Sequence, residues 1–163
     1  MLIVLKNIKI YHSMSEETYC FEASLYADNK KITRVTNSGR GGDNEYDDWK
    51  KVEVINDWCK SNLPKWASEY SNDRFDTTID TVISDLLDRH CTLKDYKKAI
   101  RKGAVRIPKN LEGQSYAIDE FPAGLSDANL NKLIEEYPDD YVLNILPKEQ
   151  AEKLWIEFCT NGI

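Results

Sequence analysis

A chain of 163 residues with 41% apolar and 31% charged side chains can bury a core without staples and is too apolar to stay disordered. Its formal net charge of −6 works against non-specific nucleic-acid binding, because phosphates repel an acidic surface that lacks a local basic face. No apolar run approaches a membrane span, and the short apolar start, Met1 to Ile10, carries Lys6 and Lys9, so neither a membrane segment nor a signal peptide is expected.

The first third reads as strands. Leu2 to Ile10 is apolar and rich in β-branched residues, and His12 to Glu17 is a polar turn. Thr18 to Tyr26 alternates, with Tyr19, Phe21, Ala23 and Leu25 on one face. Asp28-Asn29 is a tight-turn pair, and Lys31 to Thr36 is a third strand. Three strands joined by short turns form an antiparallel meander with one face to be covered.

The polar, glycine-rich Ser38 to Asn44 ends this pattern. Beyond it, Trp49, Val52, Ile55, Trp58 and Cys59 recur at helical spacing, with Pro64 past the end. A second helix is expected from Asp76 to His90, striped by Ile79, Val82, Ile83, Leu86 and Leu87. Thr92-Leu93-Lys94-Asp95 resembles a capping box that opens a third helix, closed by Gly103. Ala104 to Ile107 and Ser115 to Ile118 make a hairpin. A helix from Ser126 to Tyr137, a strand from Tyr141 to Ile145 and a helix from Pro147 to Cys159 complete the chain. The expected fold class is α+β: an N-terminal antiparallel β-meander packed against a helical C-terminal part with a short additional hairpin. Residues 1–163 read as one domain, with Ser68 to Arg74 as the candidate seam. Trp58, Ile83, Leu86, Leu154 and Trp155 are expected in the core.

Two segments stand out chemically. Gly39, Gly41 and Gly42 can turn backbone N–H groups toward an anion, and Arg40 adds charge. Neither Gly-Lys-Ser/Thr nor GxGxxG follows, and the acids between Asp43 and Asp48 are hostile to phosphate. The second segment is basic: Lys94, Lys97, Lys98, Arg101, Lys102, Arg106 and Lys109, interrupted only by Asp95. It can complement a helix C-terminus or meet an acidic partner. Tyr96 and Tyr116 lie nearby and suit either a core or a stacking surface. The helix carboxylates Asp76, Asp80, Asp85 and Asp88 read as a solvated face rather than a catalytic pair. Cys20, Cys59, Cys91 and Cys159 form no CxxC pair and read as reduced thiols without a metal; His90 reads as a core-edge residue and His12 as part of a turn. No catalytic motif and no cofactor is expected.

The stretches Lys6 to Ile10, Ser13 to Thr18, Phe21 to Tyr26 and Val35 to Gly42 together resemble small proteins carried by bacteriophages, prophages and plasmids. The likeness covers roughly the first quarter of the chain and carries no catalytic residue over. It implies a non-enzymatic binding protein in the cytoplasm of a bacterial host, one that blocks a host defence complex by protein contact. A binder or hydrolase of a nucleotide signal, and an immunity or regulatory protein of a mobile element, are the alternatives. The candidate binding residues are Gly39, Arg40, Gly41, Gly42, Lys97, Lys98, Arg101, Lys102 and Arg106. The glycine loop and the basic segment are expected to be separate contacts.

Overall fold

The computed structural model describes residues 1–67, 73–111 and 115–161. The fold is α+β, in two compact units, Met1–Leu87 and Asp88–Ile163. Most of the expected seam, residues 68–72, lies outside the described residues.

In the first unit, β1 (Ile3–Ile10), β2 (Cys20–Ala27), β3 (Lys30–Ser38) and the short β4 (Glu45–Tyr46) form one antiparallel sheet in sequence order. Ala27 pairs with Lys30, so Asp28 and Asn29 are the two-residue turn, both at positive φ. Asx side chains tolerate that region, and the turn's twist matches the flanking strands. Asn7 is also left-handed and lies where the β1–β2 register shifts, a bulge in the edge strand.

The alternation in β2 sends Phe21, Ala23, Leu25 and Ala27 inward. They pack with Val35 of β3 against α1 (Trp49–Asn62) and the first turns of α2 (Ile79–Lys102). Leu25, Val35, Val52, Ile79 and Ile83 are fully buried, each side chain contributing about 1.5–3 kcal/mol on burial. Asp48 starts α1 by accepting the Lys51 N–H. A small hairpin, β5 (Trp66–Ala67) with β6 (Arg74–Phe75), stacks the half-exposed Trp66 and Phe75 rings.

The second unit holds the rest of α2, then β7 (Ala104–Pro108), β8 (Ala117–Asp119), α3 (Asp127–Glu136), β9 (Asp140–Val142) and α4 (Lys148–Asn161). The strands form a sheet in the order β8-β7-β9. Its core joins Tyr96 and Ala99 of α2, Val105 and Ile107 of β7, and Ala151, Trp155 and Phe158 of α4. A smaller cluster holds Ala104, Leu130, Leu133 and Val142. Ser126 caps α3 through the Asn129 N–H.

Two expectations are corrected here. The helices expected on either side of Thr92 are one helix, α2, because no glycine or proline interrupts Ile79–Lys102 and the apolar stripe continues through Tyr96 and Ala99. The strand expected over Tyr141–Ile145 ends at Val142 and passes into a 3₁₀ turn, Leu143–Ile145. Of the five expected core residues, Ile83 and Trp155 are buried, while Trp58, Leu86 and Leu154 are half-buried at the rim of their stripes.

Candidate functional site

Two places merit attention, one in each unit. In the first, the glycine loop folds around Asn37. The Asn37 side-chain oxygen accepts from the Gly39 N–H and the Thr18 hydroxyl, both at 2.9 Å. Its amide nitrogen donates to the Gly42 carbonyl and to Asn44 Oδ1, both at 3.2 Å. The Gly41 N–H donates to Thr18 Oγ1 at 3.4 Å. Two of the N–H groups that the sequence offered to an anion are therefore engaged inside the loop. Arg40 is exposed.

Beside the loop lies a cavity of about 170 Å³. Thr18, Asn37, Asn44 and Ser84 supply polar walls, Phe21, Ile83 and Leu87 apolar ones, and Asp43 and Asp80 negative charge. Asp80 Oδ1 accepts from Asn44 Nδ2 at 2.7 Å and from the Tyr46 hydroxyl at 2.8 Å. Burial first, then the Asp80 hydrogen bond, push the Tyr46 hydroxyl far above its ordinary range, so it stays a donor. Asp80, read from the sequence as part of a solvated face, instead ties α2 to the glycine loop. With two carboxylates and neither lysine nor arginine in its wall, this cavity is electrostatically wrong for phosphate.

The basic segment lies in the second unit. Lys94, Lys97, Lys98, Arg101 and Lys102 are all exposed on α2. Arg106 departs from them, because β7 is the central strand of its sheet and carries the side chain inward. Arg106 is 8% exposed, pairs with Asp119 at 2.6 Å and with Asp140, and stacks its guanidinium 3.5 Å from the centre of the Tyr137 ring. It is a structural cation, not part of the exposed face. Lys109 turns its ammonium to the Pro138 carbonyl.

A groove of about 540 Å³ runs beside these cations. Its accessible apolar lining is the exposed Tyr116 with the half-buried Ile118 of β8 and Cys159 of α4, backed from the core by Ala99 of α2 and Trp155 of α4, which are 3% and 2% exposed. Trp155 is held by donating its indole N–H to the Thr92 carbonyl at 3.0 Å. Tyr116, 45% exposed, meets the Trp155 ring edge-on at 4.8 Å. Tyr96 is buried in the core and offers no stacking face.

Lys98, Arg101 and Lys102 stand on the rim. Lys98 is paired with Asp95 at 2.9 Å, which raises its pKa through that hydrogen bond and the attached charge. Arg101 and Lys102 have no ion-pair partner among the described residues. Lys94 and Lys97 lie outside the groove; after burial, their charges hold the half-buried His90 below its usual pKa.

The glycine-loop cavity takes its walls from residues 18–87 alone, and the basic groove from residues 92–159 alone. Cys20 and Cys59 are buried and Cys91 and Cys159 half-buried; among the described residues no three metal-binding side chains converge. No helix among the described residues is long and apolar enough to cross a membrane. The groove residues Ile118 and Cys159 escaped sequence reasoning as a site because each looks like ordinary core on its own element. Compared with family models, with curated proteins and with solved structures, the chain matches none, so the site rests on the geometry of its own residues.

Proposed function

We propose that this chain is a non-enzymatic binding protein of the phage type, which blocks a host defence complex by seating an acidic segment of it in the groove of the second unit. One observation carries this: an apolar groove lined by Tyr116, Ile118 and Cys159 and bordered by Arg101 and Lys102, exposed cations without an ion pair among the described residues. Burying apolar area supplies the driving force of such contacts, and rim charges select the partner and steer its approach. The cytoplasm of the host cell is the matching compartment.

The groove's volume and the half-exposed Tyr116 ring favour a second reading, a nucleotide signal stacked on tyrosine with its phosphates on the same cations.

The test is affinity capture from a bacterial lysate, identifying both proteins and small molecules, with an Arg101→Glu/Lys102→Glu chain run in parallel. A host complex held by the native chain and lost by the charge-reversed one is the expected result. Equal capture by both chains sinks the proposal. A nucleotide in the eluate transfers the assignment to the second reading if it raises the melting temperature as RT ln(1 + [L]/Kd) requires.

A further inference from the structure

The cavity beside the glycine loop has a neighbour. A second hollow of about 360 Å³, reaching Glu16 and Glu17, shares Thr18, Tyr19 and Ser84 with the 170 Å³ cavity, so the two adjoin. Asp43 and Asp80 charge the first hollow and Glu16 and Glu17 the second, with neither lysine nor arginine in the described walls of either. None of these acids has an ion pair among the described residues. The donors on Asp80, the Asn44 amide and the Tyr46 hydroxyl, are neutral and both reach Oδ1, so its charge is not cancelled. Asp43 and Asp80 lie close enough together that both disfavour ionisation of the Tyr46 hydroxyl. A Cβ on Gly41 would collide with the Glu17 carboxylate, so the bare backbone there lets that carboxylate lie against the loop.

Between the charged ends, the half-buried Tyr19 is common to both walls, and the buried Phe21, Ile83 and Leu87 back the first hollow from the core. A cavity of about 150 Å³ holds a ring the size of benzene, so the first hollow has room for a cationic head and a few methylenes. A compact metal ion fits poorly: it needs several oxygen ligands at once, and among the described residues no three metal-binding side chains converge. Carboxylates divided between two adjoining hollows match two separate cationic heads instead. We propose that the paired hollows bind a short aliphatic diamine, one ammonium meeting Asp43 and Asp80 and the other Glu16 and Glu17. This site goes beyond the basic groove and stands apart from it in the chain: its walls come from residues 15–87, those of the groove from residues 92–159.

Amide NMR titrations in amine-free buffer test it, with 1,4-diaminobutane, butylamine and magnesium chloride as the probes at matched ionic strength. The diamine is expected to give saturable shifts at Thr18, Gly42, Asp80 and Ser84, and to bind about two- to fivefold more tightly than butylamine, the scale of one exposed ion pair. Asp43→Asn should weaken the diamine by a similar factor; Asp43 is exposed and the substitution leaves the Asp80 tie to Asn44 and Tyr46 in place. Glu16→Gln/Glu17→Gln should bring the diamine down to the affinity of butylamine. Magnesium that moves the same amides as strongly as the diamine would overturn the proposal, leaving only general attraction of cations to an acidic chain. Shifts that do not saturate, or equal affinity for diamine and monoamine in the native chain, would overturn it as well.

Discussion

Gly39 and Gly42 both hold left-handed φ, +84° and +89°, in different surroundings. A Cβ on Gly39 would collide with the Met14 carbonyl and lie 2.7 Å from Cys20 Cβ, whereas one on Gly42 would meet nothing within 4 Å. Gly42→Ala therefore carries only the backbone cost of about 1–2 kcal/mol. Gly39→Ala adds a clash with neighbouring main chain and displaces the carbonyl that accepts the Glu16 and Glu17 N–H groups. Urea denaturation should find Gly39→Ala the more destabilised by at least about 1 kcal/mol; equal losses would mean that the turn around Asn37 yields without resistance. Glycines in a polar run point to a turn. Which of them is packed against a neighbour depends on β2, which passes beneath Gly39 and starts nineteen residues earlier in the chain.

At the scale of elements, α2 shows why a local signal misled. Thr-x-x-Asp can cap a helix, yet nothing between Ile79 and Lys102 stops one, and the helical interior has no cost that a new start would relieve. Thr92 is an interior residue whose carbonyl, beyond its helical role, receives the Trp155 indole. Thr92→Ala consequently should not show the loss of about 1 kcal/mol expected of a true N-cap. Alanine keeps that carbonyl and has the higher helix propensity, so the change should fall within about 0.5 kcal/mol of zero by urea denaturation. A loss near 1 kcal/mol would restore the capping role. Gly103 follows the last helical residue, as its spacing suggests, but its φ is not left-handed. A Cβ there would strike the Asp119 carbonyl, so the β7–β8 pairing, rather than a helix cap, requires glycine.

At the scale of the whole molecule, the net charge of −6 and the basic rim oppose each other toward an acidic ligand. The two act over different distances. With a screening length of about 10 Å at 0.1 M salt, a bound segment feels the charges that line the groove, Asp95, Lys98, Arg101 and Lys102, more than those farther off. Raising salt to about 1 M shrinks that length to roughly 3 Å and should weaken binding of a short acidic peptide to the groove, read by fluorescence anisotropy. Lowering it to about 0.01 M extends the length to roughly 30 Å, so the gain should level off as the whole acidic chain is felt. Salt-independent affinity would assign the binding to the apolar lining alone.

Much of this architecture was legible in the chain itself. Alternation set β2 and its inward face, Asp28-Asn29 set the hairpin, and helical spacing set α1, α3 and α4, because these patterns are written in residues a few positions apart. The α+β class followed from them. The binding geometry did not. Arg106 reads as one more cation in a basic run until β8 and β9 flank β7 and enclose it with Asp119 and Asp140. Asp80 reads as a solvated acid until Asn44 and Tyr46 arrive from the far side of the glycine loop. The groove draws Arg101 and Lys102, Ile118 and Cys159 from three elements, α2, β8 and α4. Local sequence determines which face of an element is apolar; only long-range packing decides which of those faces closes into core and which remains open beside a charge.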